Sequence, residues 1–169
     1  VITMEENQVM DAPMEVVAPE VSETVAQSFS ADDLAKVRAQ EKAKLYCEAL
    51  LEKYKGNEPF KGEDGEYHYI YLSYHKQTYK FYIGKHSSKN FIIDKYTGSG
   101  VWYGRALKHH GKDAFEHHRL AFFPTSDEAY AKEAEEVTMD MIDNTFKAQI
   151  YNLKEGGKGG GKMSKEIRD

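Results

Sequence analysis

Two tyrosine-rich blocks in the middle of the chain constrain its fold most strongly: residues 69–71 (YIY) and residues 82–84 (YIG). The sequence around them is aromatic and β-branched, which is typical of strands. The blocks predict a hairpin made of a strand 67–74, a turn 75–78 and a strand 79–83, with Gly84 at its end. Because strand side chains alternate between two faces, such a hairpin would bring the phenols of Tyr71 and Tyr82 to one place.

The rest of this region predicts the other half of a small domain. A polar connector and a Gly-Ser-Gly turn lead into a helix that Gly111 ends as a C-terminal cap. Further along, the sequence predicts one more strand, one long helix and a short extended piece. The predicted elements are a connector 85–95, a helix 101–110, a strand 117–123, a helix 127–147 and an extended segment 150–153. Their order predicts an α+β fold: a small antiparallel three-stranded sheet flanked by helices.

Composition divides the chain into four predicted parts. Residues 1–29 contain no Lys or Arg and many acids, which predicts a flexible acidic arm. Ser30, followed by two aspartates, predicts a capped helix, and the glycine-rich residues 56–66 predict a linker after it. The predicted parts are the arm 1–29, the helix and linker 30–66, the main domain 67–155 and a Gly/Lys-rich tail 156–169.

The charge is distributed unevenly along the chain. Residues 1–66 hold 7 Lys/Arg against 15 Asp/Glu, a balance of −8, whereas residues 67–162 hold 14 against 11, a balance of +3. A weakly basic domain behind an acidic lead is compatible with a polyanionic partner. No apolar run approaches the ~18 residues that a membrane span needs, and no signal-peptide pattern is visible. Cys47 is the single cysteine, so a reducing, cytoplasmic location without disulfides is expected.

Several motifs occur together in a fixed order. YIY precedes YIG, and a helical Glu and then a Tyr-Asn pair follow; the stretches KFYIGKHSSKN, YTGSG, RALKHHGKDAF and YNLKEGGKGG accompany them. Together they resemble the GIY-YIG nuclease superfamily and, within it, the phage-type homing endonucleases. The resemblance spans residues 67–161. It implies an endonuclease that hydrolyses double-stranded DNA with Mg²⁺ or Mn²⁺, in a phage-infected bacterial cell.

The resemblance places a catalytic centre around the two tyrosines. Tyr71 matches the tyrosine of the first motif and Tyr82 that of the second, and Tyr71 would activate the attacking water, directly or through Tyr82. A phenol is a poor base at neutral pH unless a nearby positive charge favours its ionised form. Lys85 and His86 follow the second motif directly, and we expect them to supply that charge.

One position departs from the family pattern. Many members carry an Arg shortly after the second tyrosine, but this chain has Ile92 in an apolar stretch. His86 or Arg105 is therefore expected to take the cationic role. The first motif also has YIY where the family has GIY, although only its last tyrosine is needed.

The metal ligand is expected to be a carboxylate on the predicted helix 127–147. Glu133 has the family's spacing, with Glu135 as the second choice. One hard oxygen ligand, completed by phosphate and water, suits Mg²⁺. Asn152 matches the late family Asn, for which a role in the site and a structural role stay open. Neighbouring histidines such as His117 and His118 point apart on a strand, so they predict surface or phosphate contacts and not a metal site.

Two other functions stay open beside the nuclease. The missing Arg also fits a nuclease-derived module that binds DNA without cutting it. A protein-interaction role, in which the acidic arm and its helix (residues 1–54) contact a partner, is the third hypothesis. The tyrosines could also be ordinary hairpin aromatics, since the chain contains 12 Tyr.

Overall fold

The computed structural model describes residues 30–91, 96, 98, 100–154 and 156–157. The predicted acidic arm and most of the predicted tail lie outside the described residues. The described residues fall into two units, one ending at Lys36 and the other beginning at Val37, and of the first only residues 30–36 are described. They begin helix α1 (Ala31–Lys53). The hydroxyl of Ser30 accepts a hydrogen bond from the backbone N–H of Asp33 (3.0 Å), as its predicted capping role requires.

A three-stranded antiparallel sheet forms the centre of the second unit. Its strands are β1 (Tyr67–His75), β2 (Phe81–Ser88) and β3 (Phe115–Phe123), in the order β2-β1-β3. The flanking elements are helix α2 (Val101–His110), a 3₁₀ turn (Lys112–Ala114), helix α3 (Ser126–Glu136) and a π-helical turn (Met141–Thr145). The predicted α+β class, with a three-stranded antiparallel sheet flanked by helices, is confirmed. No helix within the described ranges is long and apolar enough to cross a membrane.

Both faces of the sheet are covered, because β1 is the central strand and carries large apolar or aromatic side chains on each side. One face, here called the core face, bears Ile70, Leu72 and Ile83, which pack with Val137 and with the inner residues of helix α1. The opposite face carries tyrosines instead. Tyr69, Ile70, Tyr71 and Leu72 are consequently all fully buried.

The predicted end of the hairpin is wrong. Strand β2 continues through Gly84 to Ser88, so residues 85–88 belong to the sheet and not to a polar connector. The register explains the extension, because residues 84–88 pair with residues 67–71 of the central strand. Long-range pairing here overrides the weak local strand preference of a Gly-Lys-His-Ser sequence.

The predicted long helix 127–147 is also wrong. Helix α3 ends at Glu136, and Val137 adopts extended dihedral angles (φ −123°, ψ 99°) before the π-helical turn. The carbonyl of Val137 accepts a hydrogen bond from the N–H of Gly156 (2.8 Å), and its side chain is fully buried in the core. Tertiary contacts therefore replace the helical continuation that the sequence pattern favours.

Candidate active site

Five tyrosines from distant parts of the chain lie together on the face of the sheet opposite the core face. This tyrosine layer consists of Tyr69, Tyr71, Tyr82, Tyr96 and Tyr103. The ring centroids of Tyr71 and Tyr82 are 6.1 Å apart, and the ring of Tyr82 stacks on that of Tyr103 at 4.8 Å. The hydroxyl oxygens of Tyr71 and Tyr96 are 3.2 Å apart. The structure thus brings the two predicted catalytic phenols together.

Glycines allow the rings of the layer to lie directly against the backbone. A Cβ atom at Gly84 would collide with the hydroxyl end of Tyr71, and one at Gly100 would come within 2.5 Å of the Tyr82 ring. Since Gly84 pairs with Tyr71 across the strands, the Tyr71 side chain leans across β2. Its hydroxyl therefore points towards the outer edge of the sheet, where β2 is the edge strand.

Burial determines the protonation state of Tyr71. Its side chain is 0% exposed, and burial, followed by the neighbouring Tyr82 and Tyr96, raises its pKa well above the usual range. Tyr71 is thus a neutral phenol that can donate a hydrogen bond or pass a proton on. Tyr82 is only half-buried and lies at the rim of the layer.

His86 belongs to the tyrosine layer, whereas its neighbour Lys85 does not. The His86 ring stacks on Tyr96 with a centroid distance of 3.6 Å and lies 5.8 Å from the ring of Tyr69. Strand alternation turns Lys85 to the core face. There its Nζ donates to Ser87 Oγ (2.7 Å) and Ser126 Oγ (2.6 Å).

Glu133 lies beside Lys85, on the helix that packs against the core face. Burial raises the pKa of Glu133, while the Gly157 N–H and the charge of Lys85 act in the opposite direction. Burial likewise lowers the pKa of Lys85, and Glu133 leads the charges that oppose this shift. The predicted site residues therefore form two sets, one on each face of the sheet.

The carboxylates of helix α3 have different environments. Glu133 Oε1 accepts a hydrogen bond from the N–H of Gly157 (3.0 Å), and its other oxygen bonds to no residue that the structure describes. Glu135 is exposed and pairs with Lys132 at 3.0 Å. Glu136 is buried against Lys53 (2.6 Å) and the hydroxyl of Tyr54 (2.5 Å) of the N-terminal region. Glu133 is thus the best fit to the predicted metal ligand.

A metal at Glu133 would depend on donors beyond the side chains that the structure describes. Among the described residues, no group of three or more His, Cys, Asp or Glu side chains could hold a metal ion. Mg²⁺ commonly binds through one or two carboxylates and completes its shell with water and substrate phosphate. A single partly buried carboxylate with one open oxygen fits that kind of site.

Asn152 holds the edge of β2 beside the second tyrosine motif. Its Oδ1 accepts from the backbone N–H of Ile83 (3.0 Å), and its Nδ2 donates to the carbonyl of Ile83 (2.7 Å). The side chain therefore mimics a neighbouring strand at the residue between Tyr82 and Gly84. This geometry supports the structural alternative for Asn152, with an indirect effect on the position of Tyr82.

We expect Asn152→Ala to lower the free energy of unfolding by about 2–4 kcal/mol, because two buried backbone groups lose their partners. Urea unfolding followed by circular dichroism measures this change. Asn144→Ala, which removes an exposed hydrogen bond to Asp140, is the matched control and should cost less than about 1 kcal/mol. Equal losses of unfolding free energy in both variants would contradict the role of Asn152 in holding the edge of β2.

Arg105 does not reach the tyrosine layer. Helix α2 packs inward through Tyr103 and Ala106, whereas Arg105 is exposed. It lines a surface groove of about 360 Å³ together with Lys80, Trp102 and Tyr151. The Nζ of Lys80 lies 4.7 Å from the centre of the Tyr151 ring. We call these four residues the basic aromatic groove.

Strand β3 adds to the layer His117, for which the sequence predicts surface or phosphate contacts, and Arg119, for which it predicts no role. The ring of His117 stacks on Tyr71 with a centroid distance of 5.0 Å, and its Nδ1 is 2.5 Å from Ser73 Oγ. Arg119 pairs with Tyr71 in the strand register. Strand alternation does place residues 117 and 119 on one face. The sequence carries no signal for the register that pairs His117 with Ser73 and Arg119 with Tyr71.

The protonation of His117 has a consequence for stability. Burial, followed by the charge of Arg119, lowers the pKa of His117 to about 4, below its usual value. Between about pH 4 and the usual histidine pKa of about 6.5, the unfolded chain binds more protons than the folded protein. Stability is therefore expected to fall as the pH decreases from about 6.5 to 4, by at most roughly 3 kcal/mol from this residue.

His117→Gln is expected to flatten this part of the pH–stability curve, which urea titrations at several pH values would measure. His109→Gln, at an exposed position of helix α2, should leave the slope unchanged. Identical slopes in all three proteins would show that His117 is not buried in its neutral form.

Known phage proteins are similar to this chain. Two proteins of Enterobacteria phage T4 that are named as candidate endonucleases, segC and segE, are 39% and 38% identical over 98 and 101 residues. These alignments cover 58% and 60% of this chain, and 48% and 47% of the relatives. Endonuclease segA of the same phage is 32% identical over 105 residues, 62% of this chain and 46% of its own length.

The chain thus spans about half the length of the curated relatives that it matches. No protein-family model matches it, and no solved structure matches it. The relatives that match this chain are thus phage proteins named as endonucleases. In this chain, the sheet brings together the phenols of the two tyrosine motifs.

Proposed function

We propose that this chain is a divalent-metal-dependent DNA endonuclease of the GIY-YIG type. The observation that carries this proposal is the packing of Tyr71 against Tyr82, in a layer where Gly84 and Gly100 leave room for the two rings. The similarity to phage endonucleases supports it. DNA, the substrate implied by those names, is the expected partner.

The edge of β2 is where the two sets of site residues can act on one phosphate. The phenol of Tyr71 leans across Gly84 on one face. The next residue, Lys85, turns to the other face beside Glu133. A phosphodiester lying across this edge would meet a phenol from one side and an ammonium and a carboxylate from the other.

The reaction requires that a water oxygen bond to phosphorus while the bond from phosphorus to the leaving oxygen breaks. The water proton passes to the Tyr71 oxygen as Tyr71 gives its own proton to the Tyr96 hydroxyl, 3.2 Å away, which in turn releases one to solvent. Lys85 faces the phosphate with its positive charge, and the leaving oxygen takes up a proton from solvent. Mg²⁺ held by Glu133 would stabilise the negative charge that develops on the phosphate.

The basic aromatic groove gives the DNA a further contact beside the layer. Tyr103, which stacks on Tyr82, is also 5.8 Å from the Tyr151 ring that lines the groove. Lys80 and Arg105 supply positive charge, and the aromatic side chains offer stacking surface. Such a combination suits a sugar-phosphate backbone and an adjoining base.

Conversion of supercoiled plasmid tests the proposal. The protein is expected to produce nicked or linear plasmid with Mg²⁺ or Mn²⁺, and no product in EDTA. Retention of plasmid without any product in either metal would overturn the nuclease and favour the module that binds without cutting. The complete burial of the Tyr71 side chain favours this second function, because a buried hydroxyl does not contact water. Residues 1–29, half of the proposed protein-interaction surface, lie outside the described residues.

A further inference from the structure

A phosphate bound at the tyrosine layer would be stabilised by a nearby positive charge. Arg105 is exposed in the basic aromatic groove, and Lys85 lies on the core face. Arg119 of β3, by contrast, lies in the layer itself. Its guanidinium carbon is 5.4 Å from the centre of the Tyr69 ring.

A bulge in β3 is what brings Arg119 to this face. Tyr69 pairs with Phe122 and Ile70 with Ala121, but Tyr71 pairs with Arg119, so Leu120 is the extra residue. Leu120 and Ala121 both pack in the core cluster. Without the bulge, alternation would put Arg119 on the same side as Ala121. Bulges often re-aim side chains next to active sites.

Arg119 is held in place but keeps donors for a ligand. Its Nη2 donates to the carbonyl of Phe91 (3.2 Å), and its guanidinium lies 5.2 Å from the centre of the Phe91 ring. Its Nε is buried and makes no hydrogen bond to any residue that the structure describes. A buried donor without a partner is costly, so its retention is explained if an anion accepts from it.

A second unsatisfied nitrogen lies two residues away on the same face. His117 uses Nδ1 in the contact with Ser73, and its Nε2 is buried without a hydrogen bond to a described residue. The rings of Tyr71 and His86 lie 6.3 Å and 5.8 Å from the ring of Tyr69, over which Arg119 lies. Two buried nitrogens without a described partner, the Arg119 guanidinium and the proposed catalytic phenol therefore lie in one small area.

We propose that Arg119, aided by His117, binds a non-bridging oxygen of the scissile phosphate and takes the role of the Arg that this chain lacks after its second tyrosine motif. The inference rests on the proposed nuclease function for its substrate. Arg119 is then a catalytic residue that makes a charge-assisted hydrogen bond to the phosphate.

Single-turnover cleavage with the protein in excess over DNA tests this role. Arg119→Gln is expected to slow cleavage about 100- to 1000-fold, as the loss of one charge-stabilising donor does. Its affinity for the duplex should fall by no more than roughly fivefold, since one phosphate contact among several is lost. Arg119→Lys should recover part of the rate, and added guanidinium ions at sub-denaturing concentration should accelerate Arg119→Ala.

Arg38→Gln is the matched control, because it removes the same charge from an exposed position of helix α1. Circular dichroism and thermal unfolding establish that each variant folds. A rate for Arg119→Gln within threefold of this control would overturn the assignment. The assignment would also be overturned if Arg119→Gln is slow but Arg119→Lys is equally slow and added guanidinium does not accelerate Arg119→Ala. That pattern indicates a purely structural residue.

A spectroscopic measurement separates this inference from the proposed function. The Nε–Hε NMR signal of Arg119, assigned by its loss in Arg119→Lys, should shift when a short mixed-sequence duplex is added without divalent metal. The signal of Arg38 should not move. A shift in a protein that cuts no plasmid would support the anion site and refute the nuclease. If Arg119→Gln cuts DNA at the control rate and the Arg119 signal of the unmutated protein does not shift, the anion site is refuted and the proposed nuclease function stands.

Discussion

Tyr71→Phe is expected to reduce the rate of DNA cleavage on the order of 1000-fold, within the range that a positioned proton-transfer group contributes. The substitution keeps the ring that stacks on His117 and packs against Tyr82. It removes only the hydroxyl that contacts Tyr96. The free energy of unfolding should therefore change by less than about 1.5 kcal/mol, the contribution of one hydrogen bond.

Single-turnover kinetics with a labelled duplex, together with urea unfolding, measure both quantities. Tyr74→Phe is the matched control: it lies on the same strand and stacks with Tyr79 and His118, away from the layer. The control should cut at the wild-type rate. Equal rates for Tyr71→Phe and Tyr74→Phe would remove Tyr71 from the mechanism.

Glu133→Gln is expected to have an effect of similar size, also on the order of 1000-fold, because a catalytic metal supplies several kcal/mol of stabilisation to the transition state. The amide has nearly the shape of the carboxylate and can still accept from Gly157, but it is a weaker ligand for Mg²⁺. The Mg²⁺ concentration at half-maximal rate should rise, which a metal titration of the cleavage rate would show.

Glu135→Gln, two residues along the same helix, is the control. It loses only a surface ion pair with Lys132, a contact that contributes no more than about 1 kcal/mol, and should cut normally. The opposite ranking of the two variants would assign the metal to Glu135. Normal cleavage and metal dependence in both would exclude metal binding by either carboxylate.

Local sequence signals predicted those parts of the fold that local chemistry determines. The β-branched and aromatic residues of β1 and the glycine after helix α2 are such signals. The structure has helix α2 at the predicted residues, and Gly111 caps it with a positive φ of 88°. The hairpin was predicted for the same reason, because its strands are adjacent in sequence.

Contacts between distant residues account for what the sequence did not predict. The extension of β2 depends on pairing with the central strand, and the end of helix α3 depends on Gly156 and the core around Val137. The bulge that brings Arg119 beside Tyr69 is set by the packing of Leu120 and Ala121. A single sequence carries no local signal for such register shifts.

The central claim is that Tyr71 and Glu133, from opposite faces of the sheet, act on one phosphate at the edge of β2. The single-turnover rate of the double variant Tyr71→Phe/Glu133→Gln tests it most directly. Groups that work as a unit have non-additive effects, so the double variant should be no more than a few-fold slower than the slower single variant. A rate reduced by the product of the two single effects would contradict a shared centre.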